Sequence, residues 1–145
     1  MVDAARLRAV LSRLTARRSQ LAAYAALDVE AYLADPQAVP ASRYHLLTAI
    51  EDALAVANHV IAAEGYRAPV DYADAFRSLA EAGVLAPELT GRLEQMAGFR
   101  NLLVHQYAKV DDRRVHAFLR RDVEDVDGFV AAVLAAFPEL GGKGE

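Results

Sequence analysis

Apolar residues recur at alternating three- and four-residue steps along almost the whole chain, and nowhere do they settle into sustained period-two alternation. That pattern predicts an all-α fold. Leu7, Val10, Leu11, Leu14, Leu21 and Tyr24 mark a first long helix whose basic residues fall between the apolar ones. A short second element, Val29 to Ala34, stops at Asp35-Pro36, because the residue before a proline is driven out of the helical region. Pro40 suits a first helical turn, and Tyr44, Leu47, Ile50, Leu54, Ala57 and Ile61 carry the next stripe as far as Gly65. The stretch from Tyr66 to Asp71 has a proline and no period and reads as a loop. A shorter helix from Tyr72 to Ala82 stops at Gly83, and Pro87 opens another that runs at least to Val104. Asp111 or Asp112 can cap a short helix with Val115, Phe118 and Leu119, and Val123, Val126, Val130, Val133 and Phe137 form a last stripe before Pro138. Four or five amphipathic helices on short connections predict an antiparallel helical bundle. It is expected as one domain over residues 1–138, followed by a flexible tail at 139–145.

Length and composition narrow this picture. The 145 residues suffice for one core and are too few for two comfortable ones, and 8 glycines and 5 prolines fit a folded chain. Cysteine is absent, which excludes disulfides and thiolate metal sites. No signal-like start and no uninterrupted apolar run of about 20 residues is present, so a cytoplasmic protein without a membrane association is expected. The net charge of −4 is not that of a typical nucleic-acid binder, yet it hides segregation. Residues 1–19 carry Arg6, Arg8, Arg13, Arg17 and Arg18 against Asp3 alone. Residues 100–121 carry Arg100, Lys109, Arg113, Arg114, Arg120 and Arg121 against Asp111 and Asp112. The two segments make either an anion-attracting surface on an acidic body or ordinary solvated helix faces.

One basic residue sits where the pattern calls for an apolar one. Stepping back from Tyr107 gives Leu103, Arg100, Met96, Leu93 and Leu89, a buried stripe interrupted by a guanidinium. Arginine cannot lose its proton to escape burial, so Arg100 needs a fixed anion, a carboxylate from a neighbouring helix such as Glu51 or Asp52, or a phosphate. His105 follows five residues on, about 140° around a straight helix, so the two groups do not converge on one continuous helix. Either the helix ends or bends near His105, or a second subunit completes the site.

The run Gly98-Phe99-Arg100-Asn101-Leu102-Leu103-Val104-His105-Gln106-Tyr107, followed by Val110-Asp111, resembles the Arg-x4-His-x-Tyr motif of the HEPN superfamily and, within it, the HepT-type toxins. The helix holding Glu51, Asp52, Asn58 and His59, and the Tyr72 to Val84 helix and turn, are similar to the same family. The resemblance implies a homodimeric HEPN-like bundle that acts as a metal-independent endoribonuclease with no cofactor, the two motifs meeting at the subunit interface. It also implies a type VII toxin-antitoxin system in which the substrate is RNA, transfer RNA foremost, and the partner is an MntA-type nucleotidyltransferase antitoxin. By the same resemblance Arg100 and His105 are catalytic, Asn101 is the supporting polar residue and Tyr107 receives AMP. Glu51, Asp52, Asn58 and His59 are candidates for orienting Arg100 or lining the groove.

The chemistry stands on its own terms. Metal-free RNA cleavage can use the 2′-hydroxyl as nucleophile, which needs a proton carrier and a cation for the phosphorane oxygens. Imidazole titrates near neutrality, and arginine offers a planar fork to phosphate. Without the family context, Tyr107 is a seam residue with a wet hydroxyl, and a non-catalytic nucleotide-binding or partner-docking module remains the alternative. His45, His59 and His116 lack a comparable setting, and no His-Glu-x-x-His, calcium-loop or phosphate-loop motif occurs.

Overall fold

Each helix starts and stops where the local chemistry dictates. The computed structural model describes residues 1–141, with the side chain of Tyr107 outside that description. Helix α1 (Ala4–Ala25) is capped by Asp3, whose carboxylate accepts from the Arg6 N–H, and α2 (Val29–Ala34) by Asp28 in the same way. Helix α3 (Ala38–Glu64) carries Pro40 in its first turn and ends at Gly65, whose φ of 70° is the left-handed conformation that glycine adopts without a Cβ penalty. Asp71 caps α4 (Tyr72–Glu81), Pro87 opens α5 (Pro87–His105), and Asp111 caps α6 (Asp112–Ala136).

Among the described residues there are six α-helices and no strand, so the all-α bundle is observed. Helix α1 packs most extensively on α3 and then on α6, α4 lies on α5, and α3 touches α1, α4, α5 and α6. The central helix is therefore α3. It is long and apolar enough to cross a membrane by composition alone, with a mean hydropathy of 1.4 over its best window, but half of that window is buried in the bundle. Leu7, Leu14, Leu21, Leu46, Ile50, Phe76, Leu93, Met96, Leu119 and Phe129 form the solvent-free centre.

Two sequence expectations need correction. The last two predicted helices are one, because the buried stripe runs unbroken through Val115, Leu119, Asp122, Val126, Phe129 and Val133. An aspartate at a core position concealed that continuity. The expected tail begins too early as well: Pro138–Gly141 is a 3-10 turn that buries Leu140 and brings the Glu139 carbonyl to Arg8, 3.0 Å away. Packed structure thus continues through Gly141, and residues 142–145 lie outside the described residues.

Candidate active site

Helix α5 delivers the motif, and its stripe is buried as expected at Leu93, Met96 and Leu103. Arg100 interrupts that stripe with its side chain only 15% exposed. Its Nη2 donates to Glu51 Oε2 of α3 at 3.1 Å, and the guanidinium lies 4.6 Å from the Tyr72 ring centroid at the start of α4. The anion the sequence required is therefore Glu51. Among the described residues the buried Nε has no hydrogen-bond partner, so the fork is only partly used. A carboxylate on one side and an aromatic face on the other fix the plane of the guanidinium.

Beside Arg100 a groove of about 580 Å³ opens between α3, the loop before α4, and α5. Asn58, Asp71, Tyr72, Gly98 and Asn101 line it, bringing two exposed amides together across the gap. Asn58 and Asn101 are thus juxtaposed. Asp52 and His59 turn elsewhere. Asp52 binds Arg13 of α1 at 3.2 Å, and His59 Nε2 accepts the Asp3 N–H at 3.1 Å, so neither orients Arg100 nor lines this groove. Successive helical residues are about 100° apart, which is why Glu51 and Asp52, or Asn58 and His59, serve different neighbours.

Asp71 shapes the groove as well as lining it, since its carboxylate accepts the Asp74 N–H at 2.8 Å and starts α4. Asp71→Ala is expected to lower stability by about 1 kcal/mol, the usual worth of such a cap, measured as a shift of the urea unfolding midpoint. Arg67 then holds Asp74 from the other side through two bonds of 2.7 and 2.9 Å and reaches Glu81, which draws the Asp74 carboxyl well below the usual range. This brace was not legible in the sequence.

His105 is the last residue of α5 and is exposed. The helix is continuous up to it, so Arg100 and His105 leave the axis about 140° apart within one chain, separated by a rise of about 7.5 Å. Asn101, four residues before His105, shares its face. Gln106 leaves the helical conformation, and a 3-10 turn at Tyr107–Lys109 follows. Sequence reasoning also missed Arg43 of α3, which is 7% exposed and clamps this connection by donating to the Val110 carbonyl at 2.7 Å and to Asp112 Oδ1 at 2.6 Å. Its partners lie nearly seventy residues away, a separation that periodicity does not report.

Carboxylates take up part of each basic segment. Arg13 pairs with Asp52, Arg18 with Asp127 through 2.8 and 2.9 Å bonds, and Arg113 with Glu30. Of the other histidines, His116 is buried against Tyr32 with Nε2 2.6 Å from the Leu27 carbonyl. His45 lies beside Arg17, and burial together with that cation holds its pKa below the ordinary value.

A four-sided constellation of arginine, carboxylate, tyrosine and paired amides beside a helix-terminal histidine, on an all-α bundle, defines a class that comparison identifies. Residues 14–133 match the ribonuclease HepT-like family, and the chain belongs to it. It is similar to an Archaeoglobus fulgidus protein whose name proposes an RNase, at 38% identity over 50% of this chain and 54% of that one. It is also similar to the Shewanella oneidensis mRNA nuclease HepT, at 27% identity over 59% of this chain and 64% of that one. The matches thus span less than two thirds of these curated relatives. A solved structure of a tri-AMPylated HEPN toxin of Shewanella oneidensis in complex with an MNT antitoxin has the same fold, with a TM-score of 0.75 and 24% identity over 93% of this chain and 99% of that one.

Proposed function

We propose that the protein is the toxin of a toxin-antitoxin pair, an endoribonuclease that cleaves RNA without a metal through Arg100 and His105 of two subunits. The observation that carries this reading is Arg100 itself. It is an arginine only 15% exposed on an otherwise apolar seam, its plane fixed by Glu51 and Tyr72, with Tyr72 and the neighbouring Asn101 lining a groove beside it. Such a group is preorganised for a phosphate oxygen rather than for stability. Because His105 points away from Arg100 along a straight helix, a working centre needs the same pair from a second copy across a dyad.

In that centre one His105 accepts the proton of the 2′-hydroxyl as its oxygen attacks phosphorus. The other donates a proton to the departing 5′-oxygen. The arginines hold the charge on the non-bridging oxygens, and Asn101 and Asn58 hydrogen-bond the flanking nucleotide. The products are a 2′,3′-cyclic phosphate and a free 5′-hydroxyl, so atoms and protons balance. The family resemblance implies transfer RNA as target, whereas the Shewanella oneidensis relative is named for mRNA, so both belong in the assay.

Purified protein incubated with total transfer RNA and with a messenger transcript in excess EDTA is expected to cut at least one of them and to leave cyclic phosphate ends. Intact RNA in EDTA, or cuts bearing 5′-phosphates, contradicts the reading. For control of the activity, Tyr107 is the proposed acceptor of AMP from an MntA-type nucleotidyltransferase. A bulky anion two residues from His105 would exclude substrate phosphate. Its side chain lies outside the described residues. Co-expression with such an enzyme is expected to add adenylyl mass to the wild-type chain and none to Tyr107→Phe.

A further inference from the structure

A second groove, of about 550 Å³, runs between α5 and α6 on the far side of Asn101 from Arg100. Gln95, Phe99, Leu102, Arg114, Phe118 and Arg121 line it. Its floor is a pair of stacked rings, Phe99 and Phe118, with centroids 4.3 Å apart and planes 8° from parallel. The Arg114 guanidinium lies 5.7 Å from the Phe99 centroid, and Arg121 Nη2 donates to Gln95 Oε1 at 2.6 Å. Both arginines are exposed, and among the described residues neither is in an ion pair.

Among the described residues Arg6, Arg8, Arg17 and Arg120 are likewise in no ion pair, whereas Arg13, Arg18, Arg43, Arg67, Arg77, Arg92, Arg100 and Arg113 are in ion pairs. The acidic residues that follow Arg121 are mostly turned away. Asp122 is fully buried, Asp125 is held by Arg92 at 2.7 Å, and Asp127 faces Arg18 of α1. Arg114 and Arg121 are seven residues apart on one helix and so lie on one face about 10 Å from each other.

The groove also leads somewhere. Gly98, Leu102 and His105 are spaced four and three residues apart, which sets His105 on the same face of α5 that lines the groove. Since α6 turns back from the end of α5, Arg114 lies toward the His105 end and Arg121, on Gln95, lies farther down. We infer that this groove holds the sugar-phosphate backbone of single-stranded RNA flanking the scissile bond, with Arg114 and Arg121 each contacting a phosphate. The inference rests on the ribonuclease reading. A planar fork braced by an aromatic ring or a side-chain amide is suited to phosphate, and an apolar floor tolerates any base.

The test is salt-dependent binding of a fluorescent oligouridylate to the His105→Ala chain, with and without Arg114→Gln and Arg121→Gln. Each lost single-strand phosphate contact lowers the slope of log affinity against log salt by about 0.7, so the double variant is expected to lose about 1.4 and to bind roughly tenfold more weakly at low salt. Lysine at both positions keeps the charge and is expected to keep the slope. Gln95→Glu, which removes no arginine, is expected to weaken binding in the same direction. Cleavage of a dinucleotide by the wild-type chain, which needs only Arg100 and His105, is expected. An unchanged slope overturns the groove, as does an RNA affinity that survives while the dimer or nucleotidyltransferase binding is lost, which would make it a protein contact. If the parent chain binds no RNA the groove is likewise refuted, and dinucleotide cleavage by the wild type then decides separately whether the ribonuclease reading stands.

Discussion

Alanine at Arg100 is expected to slow RNA cleavage by about 10²–10³-fold, the usual cost of removing one preorganised donor from a developing oxyanion. His105→Ala is expected to cost about 10²–10⁴-fold, the range for a general acid-base group. Arg100→Lys should stay close to alanine, because an ammonium cannot keep the planar contact with both Glu51 and Tyr72 while presenting a fork to phosphate. Stability should barely move. Glu51 is half exposed, so its ion pair with Arg100 is worth no more than about 1 kcal/mol, and the ring contact adds a similar amount. Removing the unpartnered Nε offsets part of both. A thermal midpoint within a few degrees of wild type, together with lost cleavage, separates a site residue from a structural one. Wild-type rates in both variants would falsify the proposed centre.

Mixing chains asks a sharper question. The proposed centre uses His105 of both subunits, so a co-expressed dimer of one wild-type and one His105→Ala chain lacks either the proton acceptor or the proton donor. Its cleavage rate is expected to fall well below half that of the wild-type dimer. A mixed dimer that keeps the full rate would mean that the acid-base work is not shared between the two histidines. The divergence of Arg100 and His105 along a helix that is continuous to His105 is what makes a second copy necessary.

Local signals were read well from the sequence, and long-range ones were not. The Asp35-Pro36 stop, the Gly65 and Gly83 turns and the Pro87 start each depend on a residue's own backbone preference, and each stands where expected. The need of Arg100 for an anion was also legible, because an arginine on an apolar stripe is a local anomaly. Which anion it takes was not, since the choice between Glu51 and Asp52 depends on which way α3 is turned against α1 and α5. The Arg43 clamp on Val110 and Asp112, the Arg67 brace on Asp74 and the pairing of the N-terminal arginines all join residues that only the tertiary fold brings together. Periodicity fixes the face that a residue occupies, and the partner on that face belongs to the packing.

Asp122 shows the same limit and supports the second large effect. At its place in the α6 stripe an apolar residue is expected, but the structure has a carboxyl with no solvent exposure and no hydrogen-bond partner for either oxygen among the described residues. Burial, and then the negative charge of Asp125, push its pKa up to about 8. An unfolded aspartate titrates near 3.9, so between about pH 4 and pH 8 the folded chain holds a proton that the unfolded chain has released. Stability is therefore greatest below that window, falls as the pH rises through it, and levels off above about pH 8. The full swing is several kcal/mol, on the order of one-third to one-half of a typical domain's stability. Asp122→Asn should abolish this slope while keeping the cost of an unsatisfied buried amide, and Asp122→Leu should remove both, so that its unfolding midpoint at pH 8.5 lies well above wild type and the gap narrows at pH 5. Chemical denaturation of the three chains at the two pH values measures it. Parallel curves for wild type and Asp122→Leu across that range would mean that the carboxyl is ionised and compensated in the folded chain, and that the buried stripe of α6 is not as dry as its packing indicates.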